Sequence, residues 1–218
     1  MFSESKEIKN RKAKEIILIL LSFIIVPIAS VLIINAGEQS ALYNSLSRLA
    51  WPEGLLWLVY IWGALNFGNF AFATKMTLDQ AGYTKKWQWV FWGIIIASVL
   101  LMIVGISIPS YLDPDPKLVL MRSVHTALSS VGFFGFFFVL IIMAITTYFR
   151  NENQFYLSAG LVCFTLIIGV FFLVKVSDPD SYCHVSAPSQ VLLFGLYNLN
   201  MTLNYYFMKI FPRDKIKK

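Results

Sequence analysis

The sequence predicts an all-α polytopic membrane protein, six transmembrane helices with both chain ends in the cytoplasm, and three observations predict it. Of the 218 residues 57% are apolar and only 14% charged, with a mean hydropathy of +0.66. A soluble domain carries about a quarter charged residues, so the surplus apolar surface has to face lipid. Six segments reach the roughly 20 apolar residues that a hydrocarbon core of about 30 Å requires. The basic residues, finally, fall unevenly between those segments, and only an even number of crossings places both Lys-rich ends on one side.

Taken in order, the predicted spans are 15–36, 54–74, 87–110, 119–148, 155–176 and 187–210. The first is longer than the apolar core of a signal peptide and lacks a small-residue cleavage site after it, so it is read as a retained helix. It follows a basic segment, 1–14, with Lys6, Lys9, Arg11, Lys12 and Lys14. The second opens between Trp51 and Trp57, the third behind Lys85, Lys86, Trp87, Trp89 and Trp92. Indole rings favour the headgroup level, and these read as ordinary anchors. The fourth span follows the run DPDP (113–116), the fifth follows Arg150, and the sixth ends in the basic segment 211–218. The chain 1–218 is thus one transmembrane domain.

Fourteen of the 18 basic residues lie before span 1, between spans 2 and 3, between 4 and 5, or after 6. The other four, Arg48, Lys117, Arg122 and Lys175, lie on the opposite side. Basic residues collect in the cytoplasm, which fixes both termini inside and a multi-pass protein of the cell's cytoplasmic membrane. The outer loops are short and acidic, with Glu38, Glu53, Asp113, Asp115, Asp178 and Asp180, and their Asp-Pro turns can cap helix ends. The net charge of +6 is spent on orientation, not on a groove-binding element, so nucleic acid is not an expected partner.

Polar residues inside a bilayer are costly and therefore informative. In MRSVHTALSSVGFFGFFF (121–138), Arg122, His125 and Ser129 recur at i, i+3 and i+7 and share one helical face, which continues through Gly132 and Phe136. That face can line an outward-facing pocket in which Arg122 holds an anionic head group and His125 a hydrogen-bond or proton partner. Alternatively Arg122 snorkels to the headgroups and His125 pairs with a neighbouring helix. Deeper lie Asn66 and Asn69 of span 2 and Asn198, Asn200 and Asn204 of span 6. At about 1.5 Å per residue, Asn66 and Asn198 reach similar depths and can meet, either as ligand contacts or, more commonly, as interhelical glue. Gly63, Gly68, Gly132, Gly135, Gly160 and Gly169 permit close helix approach.

Several chemistries are disfavoured. A zinc site needs three ligands, and neither HExxH nor paired histidines occur; Cys183 and His184 are adjacent, and Cys163 and Cys183 form no CxxC. Haem between two histidines fails because His184 falls in a loop. Hydrolase, kinase, P-loop and dinucleotide fingerprints are absent. Every Asp and Glu lies at or outside a span boundary, which argues against ion coupling through a buried acid. No metal or cofactor is expected.

His125, the small Ala127 after it, Phe133 to Phe138, and the acidic, proline-containing DPDP before them resemble the six-helix DRAM-like family and similar bacterial six-helix families of unknown function. The resemblance covers the helix layout but rests on few residues. It implies a membrane protein linked in some members to lipid or lipid-anchor handling, transfers only His125, and brings no catalytic mechanism. The leading expectation is a protein that binds a lipid or small amphiphile in an intramembrane pocket, with membrane lipids as partners. A second is a substrate-binding membrane subunit resembling the small S-components of energy-coupling-factor transporters, with partner subunits. A third is an intramembrane enzyme with His125 as general base. A homo-oligomer is compatible with all three.

Overall fold

The computed structural model describes residues 2–37, 46–51, 53–109, 115–177 and 182–211, with side chains described throughout these except at 2–7, 48 and 172–189. The expectations about Glu38, Asp113, Asp178, Asp180 and the basic run from Arg213 lie outside the described residues, and the side chains of Arg48, Lys175, Cys183 and His184 do too.

All regular structure among the described residues is helical. A first long helix is built from α1 (Phe2–Leu20), a π-helical turn (Leu21–Ile25) and α2 (Val26–Ile34). A short α3 (Leu46–Ala50) leads to α4 (Leu56–Ala81), α5 (Lys85–Ser107), α6 (Pro116–Tyr148), α7 (Glu152–Ser177) and α8 (Tyr182–Ile210). Among the described residues, five stretches are long and apolar enough to cross a membrane: Ile8–Ile34, Leu56–Ala81, Lys85–Ser107, Pro116–Tyr148 and Glu152–Phe171. In none of them is more than 39% of the most apolar stretch buried, so most of their apolar surface lies on the outside of the bundle, as a membrane-spanning bundle requires.

Each helix begins or ends where local chemistry dictates. Asp115 caps α6 by accepting from the Lys117 amide at 2.8 Å, with Pro116 supplying a preset φ at the first helical position. Asn151 does the same for α7 through the Gln154 amide at 3.0 Å. Gly82, at φ 65°, ends α4 in the left-handed conformation that a side chain would resist. Several helices run past the predicted spans at their polar ends, as where Lys75 and Asp79, an i,i+4 pair at 3.1 Å, extend α4 beyond 74, while α2 ends at Ile34 and α5 at Ser107, short of the predicted 36 and 110. The π turn precedes Pro27, whose ring and missing N–H cannot be fitted into an unbroken α-helix.

The order of packing is α4 against α8, α8 against α7, α7 against α6, and α6 against α5, with the first helix in the groove between α4 and α8. α5 and α6 cross most closely, and glycines make this possible. A Cβ on Gly132 would lie 2.7 Å from the Ser98 carbonyl oxygen, and one on Gly105 would lie 2.9 Å from the Ser129 amide nitrogen. Consecutive α4 and α5, by contrast, barely touch.

Polar side chains stitch the first helix to α4 and α8. Asn66, Asn69 and Asn198 form a chain centred on Asn198: the Asn198 amide donates to Asn66 Oδ1 at 3.2 Å and the Asn69 amide to Asn198 Oδ1 at 2.9 Å. Ser22, in the π turn, joins it through Asn69 at 3.1 Å and Thr202 at 2.8 Å. Ser30 accepts from Trp62 Nε1 at 3.0 Å. At the end bearing the α4–α5 and α6–α7 turns, Glu15 accepts from Tyr205 at 2.6 Å and Lys209 at 2.9 Å. At that same end Tyr83 bonds Thr146, and Arg150 donates to the Ala81 carbonyl and lies 5.9 Å from the Tyr83 ring centre. Burial pushes the Tyr83 phenol above its ordinary value, outweighing the opposite pulls of Thr146 and Arg150.

Candidate functional site: an intramembrane cavity

The weak contact between α4 and α5 leaves room inside the bundle, and a cavity of about 940 Å³ fills it. This lies at the upper end of the roughly 300–1,000 Å³ typical of ligand pockets. Along α6 its wall runs from His125 to Phe137, and along α5 from Ile106 to Trp92. At about 1.5 Å per residue these stretches are roughly 18 and 21 Å long, somewhat more than half of a ~30 Å hydrocarbon core.

The two ends of the cavity differ chemically. At the end of the α6 amino terminus stand Ser47 of α3, with His125, Thr126, Ser129 and Ser130 of α6. His125 is 5% exposed and held from both sides. The Ile108 carbonyl can only accept, so Nδ1–H donates to it at 3.1 Å, and Nε2 of the neutral ring accepts from the Ser47 hydroxyl at 2.7 Å. Ser129 sits against the close crossing at Gly105. Toward the other end the wall becomes aromatic. Phe133 lies 5.3 Å from Phe194 and 4.9 Å from Tyr197, while Phe67 stacks on Phe136 at 5.1 Å and an interplanar angle of 11°. Among the described residues of the wall none carries an acid, a Lys or an Arg.

The cavity reaches the exposed apolar surface on two sides. Ile96, Leu100 and Ile103 of α5 line it and are also 54%, 56% and 41% exposed. Facing them across the gap, α4 presents Gly63, Ala64, Gly68 and Ala71, so the opening is kept wide by small residues. On the far side of α6, Phe134 with Leu166 and Val170 of α7 are likewise both wall and exposed surface. Among the described residues, α4 and the segment before it are tied to α5 near the two ends, by Tyr60 to Ser107 at 2.8 Å together with Trp51 Nε1 to the Ile106 carbonyl at 2.9 Å, and by the turn around Gly82.

Of the residues singled out from sequence, His125 and Ser129 come together on the cavity wall. Arg122, one turn nearer the α6 amino terminus, is half-buried, has an interaction of its own and does not contribute to that wall. Asn66 and Asn198 are each 1% exposed and bond each other, behind the wall and not on it. Gly68, read from sequence as a packing residue, has nothing within 4 Å of a would-be Cβ; its role is to leave space. Trp92 faces the cavity, whereas Trp87 and Trp89 are exposed as anchors should be. Ser47, Trp62, Thr165, Gln190 and Tyr197 were not legible as wall residues. Small residues recurring at 63, 64, 68 and 71 were the available signal. Among the described residues no three of His, Cys, Asp and Glu come together as a metal site requires. No protein-family model, curated protein or solved structure matches the chain.

Proposed function

We propose that this chain is a multi-pass protein of the cytoplasmic membrane, both termini inside, that takes up a lipid or small amphiphile sideways from the bilayer. The observation that carries this reading is the cavity of about 940 Å³ whose wall is continuous with the lipid-facing surface and graded from hydroxyls and His125 at one end to aromatic rings at the other. An amphiphile matches that gradient. Its polar part gains hydrogen bonds at Ser129, Ser130 and Thr126, and its apolar part meets Phe133, Phe137 and Tyr197. A polar solute would have to strip its water against an apolar wall, and the wall offers few hydrogen bonds in return.

His125 is a positioning group in this reading. Both ring nitrogens are used within the protein, so it holds α3 over the cavity and sets the shape of the polar end. The resemblance to the DRAM-like family, through the same histidine and phenylalanine run, points to the same broad lipid-handling role. The test is extraction: protein purified in mild detergent is denatured in organic solvent and the extract analysed by mass spectrometry. A near-stoichiometric amphiphile is expected, reduced by His125→Ala. Wild-type protein free of any co-purifying amphiphile, and unable to take one up from added membrane lipid, would overturn the proposal.

A further inference from the structure

The cavity is lined on both sides of α6, and its lining falls into two groups, or limbs. One limb runs between α4 and α5, walled by Gly68 and Ala71 on one side and Ile96 and Leu100 on the other. The second runs between α6 and α7, walled by Ser130 and Phe134 against Leu166 and Gly169. Phe133 and Phe194, 5.3 Å apart, together with Phe67, 5.6 Å from Phe194, form an aromatic part of the same wall. The limbs belong to one cavity whose polar groups gather at the His125 end.

Taking the reading above as its basis, we infer that the occupant is a two-chain glycerolipid, one acyl chain in each limb and the ester-bearing glycerol at the hydroxyls of Thr126, Ser129 and Ser130. Three features carry this. The volume is the first: with a methylene given roughly the 30 Å³ that a water occupies, 940 Å³ holds about thirty, or two chains of ordinary membrane length. A single chain would leave about half of the space empty, and apolar space inside a bundle is filled or collapses. The second is shape. Each limb opens to the lipid-facing surface, through Leu100 and Ile103 in one case and Phe134 and Val170 in the other. A molecule with one stem and two tails can therefore straddle α6 as it enters. The third is charge. The described wall offers hydroxyls but no ionised group, which suits glycerol and ester oxygens within the cavity. Any charged head group would lie beyond it.

The experiment uses the full chain in mild detergent and native mass spectrometry. Four lipids are offered at equal concentration: dioleoylglycerol, mono-oleoylglycerol, dioleoylphosphatidylglycerol and its one-chain lyso form. Retention of either two-chain lipid at least about tenfold above its one-chain counterpart is expected, a difference of about 1.4 kcal/mol. Which of the two is kept tells a neutral source from a phospholipid. Gly68→Leu fills the first limb at a position with open space around it, and Gly169→Leu fills the second, where the nearest atom is Leu193 Cδ2 at 3.7 Å. Each is expected to abolish the tenfold preference, two-chain retention falling to the level of the one-chain lipids measured on the same variant. Equal retention of one-chain and two-chain lipids by wild type, or a preference untouched by both variants, overturns the inference and leaves the amphiphile reading standing. Retention of none of the four lipids overturns both.

Discussion

Replacing Gly132 by Ala tests the closest helix crossing in the bundle, and its effect can be worked out from the geometry. The new Cβ would lie 2.5 Å from Met102 Cγ, 2.7 Å from the Ser98 carbonyl oxygen and 3.1 Å from the Met102 amide nitrogen. Met102 can turn its side chain away, but two of the three atoms are backbone, so α5 and α6 have to move apart. Overpacking of this kind costs about 1–3 kcal/mol, and a backbone clash belongs in the upper half of that range. Against it stands the gain of about 1 kcal/mol that Ala has over Gly in a helix interior. The net loss is about 1–2 kcal/mol. At about 2–4 °C per kcal/mol for a chain of this size, the melting temperature falls by about 2–8 °C. Gly68→Ala is the matched control: nothing lies within 4 Å of its Cβ, so only the propensity gain remains and the melting temperature rises by up to about 4 °C. Thermal unfolding in one mild detergent, followed by circular dichroism, compares the two. A Gly132→Ala protein that melts at or above Gly68→Ala would show that α5 and α6 do not meet as described.

Asn198→Leu strips Asn66 Oδ1 and Asn69 Nδ2 of their shared partner and is expected to destabilise by about 1–3 kcal/mol, seen as a lower melting temperature. Replacing all three asparagines by Leu should cost less than the single change, because no half of the triad is left orphaned. Ser107→Ala removes the Tyr60 tie across the α4–α5 gap; stability should change by less than about 1.5 kcal/mol, while spin labels on α4 and α5 report a broader distance distribution. Reporter fusions at Met1 and Lys218 should both read cytoplasmic, and opposite readings would remove the proposed orientation.

The helices were legible because bilayer physics is written in composition: 18 or more apolar residues with few charges cannot be hidden among soluble patterns. Their ends were less so, since Lys75, Asp79, Lys85 and the residues before Glu15 are polar yet helical, and hydropathy marks lipid contact where the backbone simply continues. The meeting of Asn66 with Asn198 followed from counting depth along two helices. The cavity did not follow from anything comparable. Gly68 faces open space and Gly63 the ring of Phe67 on its own helix, while Gly132 faces the α5 backbone and Gly135 the Ser98 side chain, and nothing local distinguishes the two pairs. That difference arises from which helices become neighbours, and α4 and α5 are adjacent in sequence without being packed in space.

The tie between the first helix and the last sets conditions on biogenesis. Ser22 and Ser30 emerge from the ribosome early, but their partners Trp62, Asn69 and Thr202 follow some 30 to 180 positions later, and Glu15 waits longest, for Tyr205 and Lys209. During synthesis the leading segment must therefore sit in lipid with unquenched hydroxyls, tolerable only because a serine can turn back onto its own helix's carbonyls. Completion of the C-terminal helix supplies the last of these partners. A nascent chain truncated before Thr202 would keep the bonds of Ser22 to Asn69 and of Ser30 to Trp62 and lose those of Ser22 to Thr202 and of Glu15 to Tyr205 and Lys209.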